Sequence, residues 1–263
     1  MRPRSTRRRS KALAITAAVS AALLAGAAVT GSATVRPGTP GNDVHFGLDN
    51  DNANNPFIQP PGVTAKQHMD NTDVLFGRQG ADLLIGKLGS DTLLGGPSSD
   101  ILIGGPENFQ TPNSDVLLGD AGNDINIWAP GDGSEVFVGD DGSNDAMVFA
   151  PFVTNPDGSL QLVNHEGRQV PRVDIGGQPN FSCSIVPVPP SQNMGEQFLI
   201  RFLVNGNITV TVRQKDVERV LCPSPNEGWA TSADLTAANP QFQNVRLSSI
   251  HGVLGAIVAP PSV

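Results

Sequence analysis

Apolar triplets and polar, glycine-containing hexads alternate along residues 73–127 with a nine-residue period. Four equally spaced aspartates set the register: Asp73, Asp82, Asp91 and Asp100 each precede three apolar positions. Three apolar residues suffice for a short β-strand, and a glycine-rich hexad is typical of a tight turn, because glycine permits positive φ and close backbone approach. The pattern therefore predicts a solenoid of short strands separated by turns.

Two nine-residue units make one coil, so each strand is predicted to be the parallel neighbour of the strand two units further along. Side chains alternate between the two faces of a strand, so the middle residue of each triplet is predicted to point into the solenoid. These inward positions are Leu75, Leu84, Leu93, Leu102, Leu117, Phe137 and Met147.

The repeat is imperfect at several positions. An insertion at residues 107–112 interrupts the fourth unit, and the array then resumes at Asp115 and Asp124. Two degenerate units follow, and an isolated early copy at residues 41–46 is separated from the array by a polar insert. Arg78, Lys87 and Asp120 replace the glycine at the second position of their units, and Ser98 replaces the glycine at the fourth position. Asn126 and His45 replace the inward apolar residue, and Glu135 replaces the aspartate. These departures weaken the prediction for the terminal units.

Residues 149–263 lack the nine-residue period and have a β-rich, loop-rich composition. Asn205-Gly206 separates two β-rich runs, 198–204 and 207–213, which is a strong signal for an antiparallel hairpin. Weaker strands are predicted at 160–163, 170–175 and 217–221. Loops are predicted at 187–190 and 223–243, with one short helix at 232–238. We expect this region to cap the last strand edge of the solenoid or to bind a ligand.

Residues 1–33 have the pattern of an export signal. Six positive charges precede the apolar or small residues 12–29, and Gly31-Ser32-Ala33 resembles a cleavage site. We expect cleavage, a secreted, extracellular or cell-surface location and no stable membrane insertion afterwards; an uncleaved anchor is the alternative. In an exported chain the two cysteines, Cys183 and Cys222, are predicted to form a disulfide rather than remain free thiols.

Charge is concentrated in the repeats. The whole chain has a formal net charge of −8, whereas residues 41–145 hold 17 acidic side chains against three basic ones. This balance excludes a nucleic-acid-binding protein, which needs a basic surface. One aspartate per unit would stack along each edge of the solenoid, and stacked carboxylates repel unless a cation lies between them. Carboxylates together with turn carbonyls form an all-oxygen site, which favours Ca²⁺.

The units resemble the RTX, or hemolysin-type, calcium-binding nonapeptide repeat, Gly-Gly-x-Gly-x-Asp-x-U-x, in which U is a large apolar residue. The resemblance is clear over residues 71–127 and weaker to residue 148. It implies a right-handed parallel β-roll with Ca²⁺ bound between successive turns. The implied carboxylate ligands are Asp73, Asp82, Asp91, Asp100, Asp115 and Asp124. The implied carbonyl ligands lie around Gly77, Gly80, Gly86, Gly89, Gly95, Gly104, Gly119 and Gly122.

The predicted organisation is a signal peptide (1–33), an N-terminal segment with the isolated repeat (34–70), a calcium β-roll (71–148) and a β-rich capping or binding region (149–263). The fold class is all-β. Neither Gly-x-Ser-x-Gly nor His-Glu-x-x-His occurs, so the sequence favours a protein that is not an enzyme.

Two functions remain open from the sequence. One is a secreted calcium-binding protein whose repeats fold on binding Ca²⁺ and serve a structural, adhesive or interaction role. The other is an extracellular polysaccharide-binding or polysaccharide-modifying protein that uses the roll as a scaffold. The expected partners are therefore calcium ions together with a cell-surface or extracellular glycan or protein.

Overall fold

The computed structural model describes residues 35–47, 72–86, 89–105, 114–128, 132–150, 162–165, 168–171, 175–193 and 195–249. These residues belong to the larger of two compact units, Gly31–Val263. The predicted signal peptide and the whole polar insert lie outside the described residues. Among the described residues, no helix has the length and apolar character needed to cross a membrane.

The regular structure of the described residues is β-strand, apart from one 3₁₀ turn at Leu247–Ser249, so the predicted all-β class is confirmed. The strands are β1 (Val35–Pro37), β2 (Val44–Phe46), β3 (Val74–Phe76), β4 (Leu83–Ile85), β5 (Thr92–Pro97), β6 (Ile101–Ile103), β7 (Val116–Ala121), β8 (Ile125–Trp128), β9 (Val136–Val138), β10 (Ala146–Phe149), β11 (Leu162–His165), β12 (Arg168–Pro171), β13 (Phe181–Pro187), β14 (Phe198–Val204), β15 (Asn207–Lys215), β16 (Arg219–Cys222), β17 (Trp229–Asp234) and β18 (Gln243–Arg246).

Successive strands of the repeat alternate between two sheets, which is the arrangement of a parallel β-roll. The first sheet has the order β1-β3-β5-β7-β9-β15-β14-β13, and the second has the order β18-β17-β16-β10-β8-β6-β4-β2. Leu75 of β3 lies opposite Leu93 of β5, and Leu84 of β4 lies opposite Leu102 of β6, so the predicted coil of two repeat units is confirmed there. The isolated early copy also joins the roll, because β2 pairs in parallel with β4.

The roll is filled by the central residue of each triplet. Every predicted inward residue has no exposed surface and belongs to one hydrophobic core: Leu75, Leu84, Leu93, Leu102, Leu117, Phe137 and Met147. A second hydrophobic cluster lies among the flanking residues of the second sheet, including Ile85, Ile103 and Ile127, together with Ile175 and Ala230 of the C-terminal region. The second sheet therefore buries apolar side chains on both faces, as parallel sheets commonly do.

Several turn positions hold left-handed backbone without glycine. Arg78 (φ 76°), Ser98 (φ 116°) and Asp120 (φ 77°), which replace motif glycines, all have positive φ. Such φ values are uncommon for residues that carry a Cβ. Where another residue replaces a motif glycine, the geometry of the coil therefore outweighs that residue's preference for negative φ.

The C-terminal region continues both sheets of the roll. In the first sheet, β15 pairs in parallel with β9, and the predicted hairpin at Asn205-Gly206 is confirmed because β14 and β15 pair antiparallel on either side of it. In the second sheet, β16 pairs in parallel with β10, so that Met147 lies opposite Val220. The last strand edge of the roll is thus covered in both sheets.

The short helix predicted at 232–238 is wrong, and so is the continuous loop predicted at 223–243. Residues Trp229–Asp234 form strand β17, which pairs antiparallel with both β16 and β18. The helix prediction used local composition, whereas β17 is decided by partner strands on both sides, which satisfy its backbone groups. Of the strand predicted at 170–175, residues 170 and 171 belong to β12, which pairs with β11, and residues 172–174 lie outside the described residues. The strand predicted at 217–221 corresponds to β16.

A disulfide joins Cys183 and Cys222, as predicted, with a Cα–Cα distance of 6.2 Å. It links β13 of the first sheet to β16 of the second. Beside it, aromatic rings from both parts of the chain pack together: Trp128 and Phe149 come from the roll, and Phe202 comes from β14, with ring centroids 4.9–5.6 Å apart. The roll and the C-terminal region therefore share one hydrophobic core.

Candidate metal centre

Each repeat aspartate immediately precedes a strand, so the aspartates stack where successive coils enter a sheet. In each stack the backbone N–H of one aspartate donates a hydrogen bond to Oδ1 of the aspartate in the next coil. Beside the second sheet this ladder runs through Asp43, Asp82, Asp100, Asp124 and Asp145, with N–O distances of 2.6–2.8 Å. Beside the first sheet it runs through Asp73, Asp91 and Asp115, with N–O distances of 2.7 Å.

The second carboxylate oxygen is the unusual feature of the ladder. The Oδ2 atoms of Asp82, Asp100, Asp115, Asp124 and Asp145 are buried and have no hydrogen-bond partner, and these side chains are at most 1% exposed. Burying an ionised carboxylate is costly unless an opposite charge or hydrogen bonds compensate. The ladder therefore presents a row of buried oxygens that lack a counter-charge of their own.

Glycine makes room for these oxygens. A Cβ on Gly77 would overlap with Asp82 Oδ2 and with the carbonyl oxygen of Gly95 in the next coil. A Cβ on Gly86 would lie 2.5 Å from Asp91 Oδ2 and would overlap with the Gly104 carbonyl oxygen. A carboxylate oxygen and a carbonyl oxygen from adjacent coils thus converge beside the same glycine.

Burial raises the pKa of four carboxyls in the ladder beside the second sheet, and neighbouring carboxylates raise it further, against the opposing effect of the backbone hydrogen bond. The pKa of Asp100 is raised to about 8 and that of Asp124 to about 7. The pKa values of Asp82 and Asp145 are raised to about 6. The charged forms of these four carboxyls are therefore disfavoured in the absence of a counter-charge.

The donor set consists of oxygen atoms alone, from carboxylates and main-chain carbonyls. Hard oxygen donors suit Ca²⁺, whose coordination number is flexible, rather than zinc or copper. Among the described residues, no group of three His, Cys, Asp or Glu side chains alone could hold a metal ion. A ladder site would accordingly combine a carboxylate from one coil with carbonyls from its neighbours.

The predicted ligand residues fall into two structural groups. All six predicted aspartates lie in the two ladders, and Gly77, Gly86, Gly95, Gly104 and Gly119 lie directly against an aspartate Oδ2. Gly80, Gly89 and Gly122 have positive φ. Gly80 and Gly122 approach the backbone of a neighbouring coil rather than a carboxylate. Gly80 and Gly122 therefore allow adjacent coils to pack closely.

Five side chains in or near the ladders are not among the ligands predicted from the sequence. Asp43, Asp145 and Glu218 belong to the ladder beside the second sheet, and Asn126 and Asp132 are buried nearby. Asp145 precedes an apolar triplet and Asp43 precedes the triplet of the isolated early copy, so the repeat pattern itself could have included them. Glu218 is a single acid before β16 with no nine-residue context. Asp132 is completely buried yet lies outside the repeat register, so no sequence signal pointed to it.

A polar cavity of about 320 Å³ lies in the C-terminal region. Its lining includes Gln197, Phe198, Gln214, Asp216, Glu218 and Thr236. Glu218 also touches the end of the ladder, because its Oε2 accepts a hydrogen bond from the Asp145 N–H. The cavity therefore adjoins the last coil of the roll.

Comparison of the sequence with protein-family models and with curated proteins finds no match. What the structure itself defines is an all-β protein, a parallel β-roll with stacked buried aspartates, closed by an antiparallel C-terminal region.

Proposed function

We propose that the chain is a secreted calcium-binding protein of the RTX type, whose repeat array folds when it binds Ca²⁺. The observation that carries the proposal is the row of buried Oδ2 atoms, each beside a glycine of the turn, with carbonyl oxygens of the next coil on the same side at Gly77, Gly86 and Gly95. A cation at these positions would neutralise the carboxylates and occupy the space that the absent Cβ atoms leave.

The mechanism follows from repulsion within the ladder. Neighbouring parallel strands lie about 4.8 Å apart, so stacked carboxylates in the metal-free roll oppose folding. Ca²⁺ removes this cost only when the coils are stacked, so its binding free energy becomes folding free energy. Extracellular calcium modules commonly bind with a Kd of about 10⁻⁴–10⁻³ M, so calcium outside the cell would drive the transition.

A role outside the cell is supported by two features. The basic and apolar pattern of residues 1–33 matches an export signal. The Cys183–Cys222 disulfide is the type of bond that persists in oxidising compartments. In such a setting the folded roll would serve a structural, adhesive or interaction role. The C-terminal region, which lacks the repeat, would provide the surface that contacts a partner.

Circular dichroism of the purified chain during a Ca²⁺ titration, reversed by EDTA, tests the proposal. We expect a small β signal in EDTA, a cooperative rise with Ca²⁺, and recovery of the first spectrum after chelation. Magnesium at the same concentration is the control, because its strict octahedral geometry does not suit a carbonyl-rich site. An equally strong β signal in EDTA would show that folding does not depend on calcium.

A second candidate function is polysaccharide binding with the roll as a scaffold, favoured by the cavity in the C-terminal region. Carboxamides and carboxylates such as Gln197, Gln214 and Asp216 can hydrogen-bond sugar hydroxyls, and Phe198 supplies an apolar face. A glycan-binding screen with calcium present, repeated with Gln197→Ala, tests it. Binding that is unchanged by this variant would place any glycan site elsewhere.

A further inference from the structure

Asn126 places an amide inside the roll. It lies opposite Leu102 and, like that leucine, has no exposed surface. Its Nδ2 donates to Glu135 Oε2 at 3.2 Å and to the Leu102 carbonyl at 3.4 Å, whereas its Oδ1 has no hydrogen-bond partner. A buried amide oxygen without a partner is costly, so this substitution needs a compensating interaction.

Glu135 departs from the ladder in a related way. Val136 pairs with Val116, so the residues that precede them, Glu135 and Asp115, occupy equivalent positions in adjacent coils. Glu135 therefore takes the position of the next ladder aspartate. One carboxylate oxygen, Oε2, accepts the hydrogen bond from Asn126. The other oxygen, Oε1, has no hydrogen-bond partner and lies 2.5 Å from the position of a Cβ on Gly104.

The position beside Gly104 is the one that a ladder site uses. Asp115 Oδ2 would overlap with the same Cβ on Gly104, as Asp82 Oδ2 would with one on Gly77. At Gly77 the second nearby oxygen is a carbonyl of the next coil, whereas at Gly104 it is Glu135 Oε1. In this coil the second oxygen nearest to the glycine is therefore a carboxylate oxygen, where Gly77 has a neutral carbonyl.

Asp132 adds a third acidic group to this part of the interior. It has no exposed surface, and its charge raises the pKa values of both Asp115 and Glu135 in addition to the larger effect of burial. Asp115, Asp132 and Glu135 are therefore three interacting buried carboxyl groups, in the part of the interior that also holds the unpartnered amide oxygen of Asn126.

We propose that Asp115, Asn126 and Glu135, with the charge of Asp132 close by, form a calcium site whose ligands differ from those of the repeating ladder sites, and that this site fills first. Asp115 Oδ2 and Glu135 Oε1 already lie at one position beside Gly104. Calcium affinity rises with the number of charged ligands, and this site brings two carboxylates together where a ladder site combines one carboxylate with neutral carbonyls. The inference rests on the proposed function for the identity of the cation alone.

Trp128 provides a reporter for this site. Its Nε1 donates a hydrogen bond to the carbonyl of Gly133, which directly follows Asp132, at 2.9 Å. The chain has two tryptophans, and the other, Trp229, lies in β17 with the Arg246 guanidinium over its ring. Terbium replaces calcium at oxygen sites, and its luminescence is excited by energy transfer from a nearby indole, so Trp128 marks an ion at this site.

The test is a Tb³⁺ titration of the full chain with excitation of the indole, followed by displacement with Ca²⁺. We expect emission to saturate at one ion per chain, before the change in circular dichroism that reports the ladder. Glu135→Gln and Asp132→Asn should lose most of this emission, whereas Asp100→Asn, a ladder variant, should retain it. Trp128→Phe should abolish it, and Trp229→Phe should leave it unchanged.

Unchanged emission in Glu135→Gln, or emission that depends on Trp229, would overturn the inference. Both acidic variants remove a buried charge and keep the side-chain shape, so they are expected to fold. Failure of this inference can also be distinguished from failure of the proposed function. A chain that is fully folded in EDTA yet shows Trp128-dependent emission would refute calcium-driven folding and support this site, and the reverse pattern would refute the site alone.

Discussion

The backbone N–H of Asp145 donates a hydrogen bond to Glu218 Oε2 at 2.7 Å, across 73 residues of sequence. Every earlier aspartate of this ladder makes the same bond to an aspartate of the next coil. Glu218 therefore takes the place of the next repeat aspartate, although it belongs to the C-terminal region. Beside it, a Cβ on Gly139 would lie 2.5 Å from Asp145 Oδ2 and would overlap with the Asp216 carbonyl oxygen. The cap thus completes the last coil with the same kinds of group that the repeats use.

Glu218→Ala should destabilise the junction between the roll and the cap. The variant leaves the Asp145 N–H without its acceptor, and an unsatisfied buried donor costs about 1–3 kcal/mol. Denaturant unfolding with calcium present measures the change. Glu227→Ala, at an exposed position of the same region, is the control and should stay close to wild type; an equal loss in both variants would contradict a specific role for Glu218.

Asp100→Asn should have opposite effects with and without calcium. In EDTA the variant should be more stable than wild type, because it removes a carboxyl group whose charge is disfavoured by burial and by Asp124 and Asp82. In calcium it should gain less stability than wild type, because one ladder ligand has lost its charge. The readouts are the strength of the β signal by circular dichroism in EDTA and the thermal midpoint in calcium. Asp234→Asn changes an exposed carboxylate of β17 and should leave the calcium-dependent difference intact.

The stability of the metal-free roll should fall as the pH rises. The folded pKa values of Asp100, about 8, and Asp124, about 7, exceed the ordinary value of 3.8, so folding favours their protonated forms. Their stabilising contribution is fully present below about pH 4 and is lost as the pH rises through the folded pKa values. The β signal in EDTA, measured by circular dichroism, should therefore be weaker at about pH 8 than at about pH 5.

Calcium should reverse this pH trend, because it binds the deprotonated carboxylates. The apparent calcium affinity should increase from about pH 6 to about pH 8 as the ladder loses protons. Calcium titrations followed by circular dichroism at several pH values measure it. A pH-independent calcium midpoint would show that the ladder carboxyls do not take part in binding.

Gly86→Ala should disrupt the roll, although the substitution adds only one methyl group. Gly86 is a buried turn residue, and the added Cβ would lie 2.5 Å from Asp91 Oδ2 and overlap with the Gly104 carbonyl. Both neighbours belong to the stacked coils and cannot withdraw independently. The matched control is Gly41→Ala, whose Cβ would approach no atom closer than Thr39 Oγ1, at 3.9 Å. We expect Gly86→Ala to lose calcium-induced β structure and Gly41→Ala to retain it.

Removal of the disulfide should destabilise the C-terminal region. The Cys183–Cys222 bond closes a loop with a sequence separation of 39, and the double variant Cys183→Ser, Cys222→Ser should lose about 4 kcal/mol on the chain-entropy model. Denaturant unfolding in calcium is the measurement, with the reduced wild-type chain as a second comparison. Because the disulfide bridges the two sheets, β13 and β16 should lose amide-exchange protection together; loss in one strand alone would contradict that coupling.

The repeat was predictable because its information is local. Each aspartate recurs beside an apolar triplet, and the period of nine dictates that Leu75 faces Leu93 and that Asp73 stacks on Asp91. The hairpin at Asn205-Gly206 was predictable for the same reason, since its turn residues and strands are contiguous. The predicted helix at 232–238 failed because β17 is stabilised by strands that the local sequence does not reveal.

The sequence by itself determined the all-β class, the coil of two repeat units, the residues that fill it and the pairing of the two cysteines. Only the tertiary structure decided which strands close the roll and which side chains leave the pattern to meet inside it. In the sequence, Asn126 and Glu135 are two separate departures from the repeat, yet the two side chains hydrogen-bond to each other, and Glu135 lies with Asp115 beside Gly104. Glu218 likewise joined the ladder from outside the repeats. Both contacts join residues that are distant in the repeat pattern but adjacent in the fold. The energy of a buried charge depends on the groups that surround it in space, and the nine-residue period does not specify those groups.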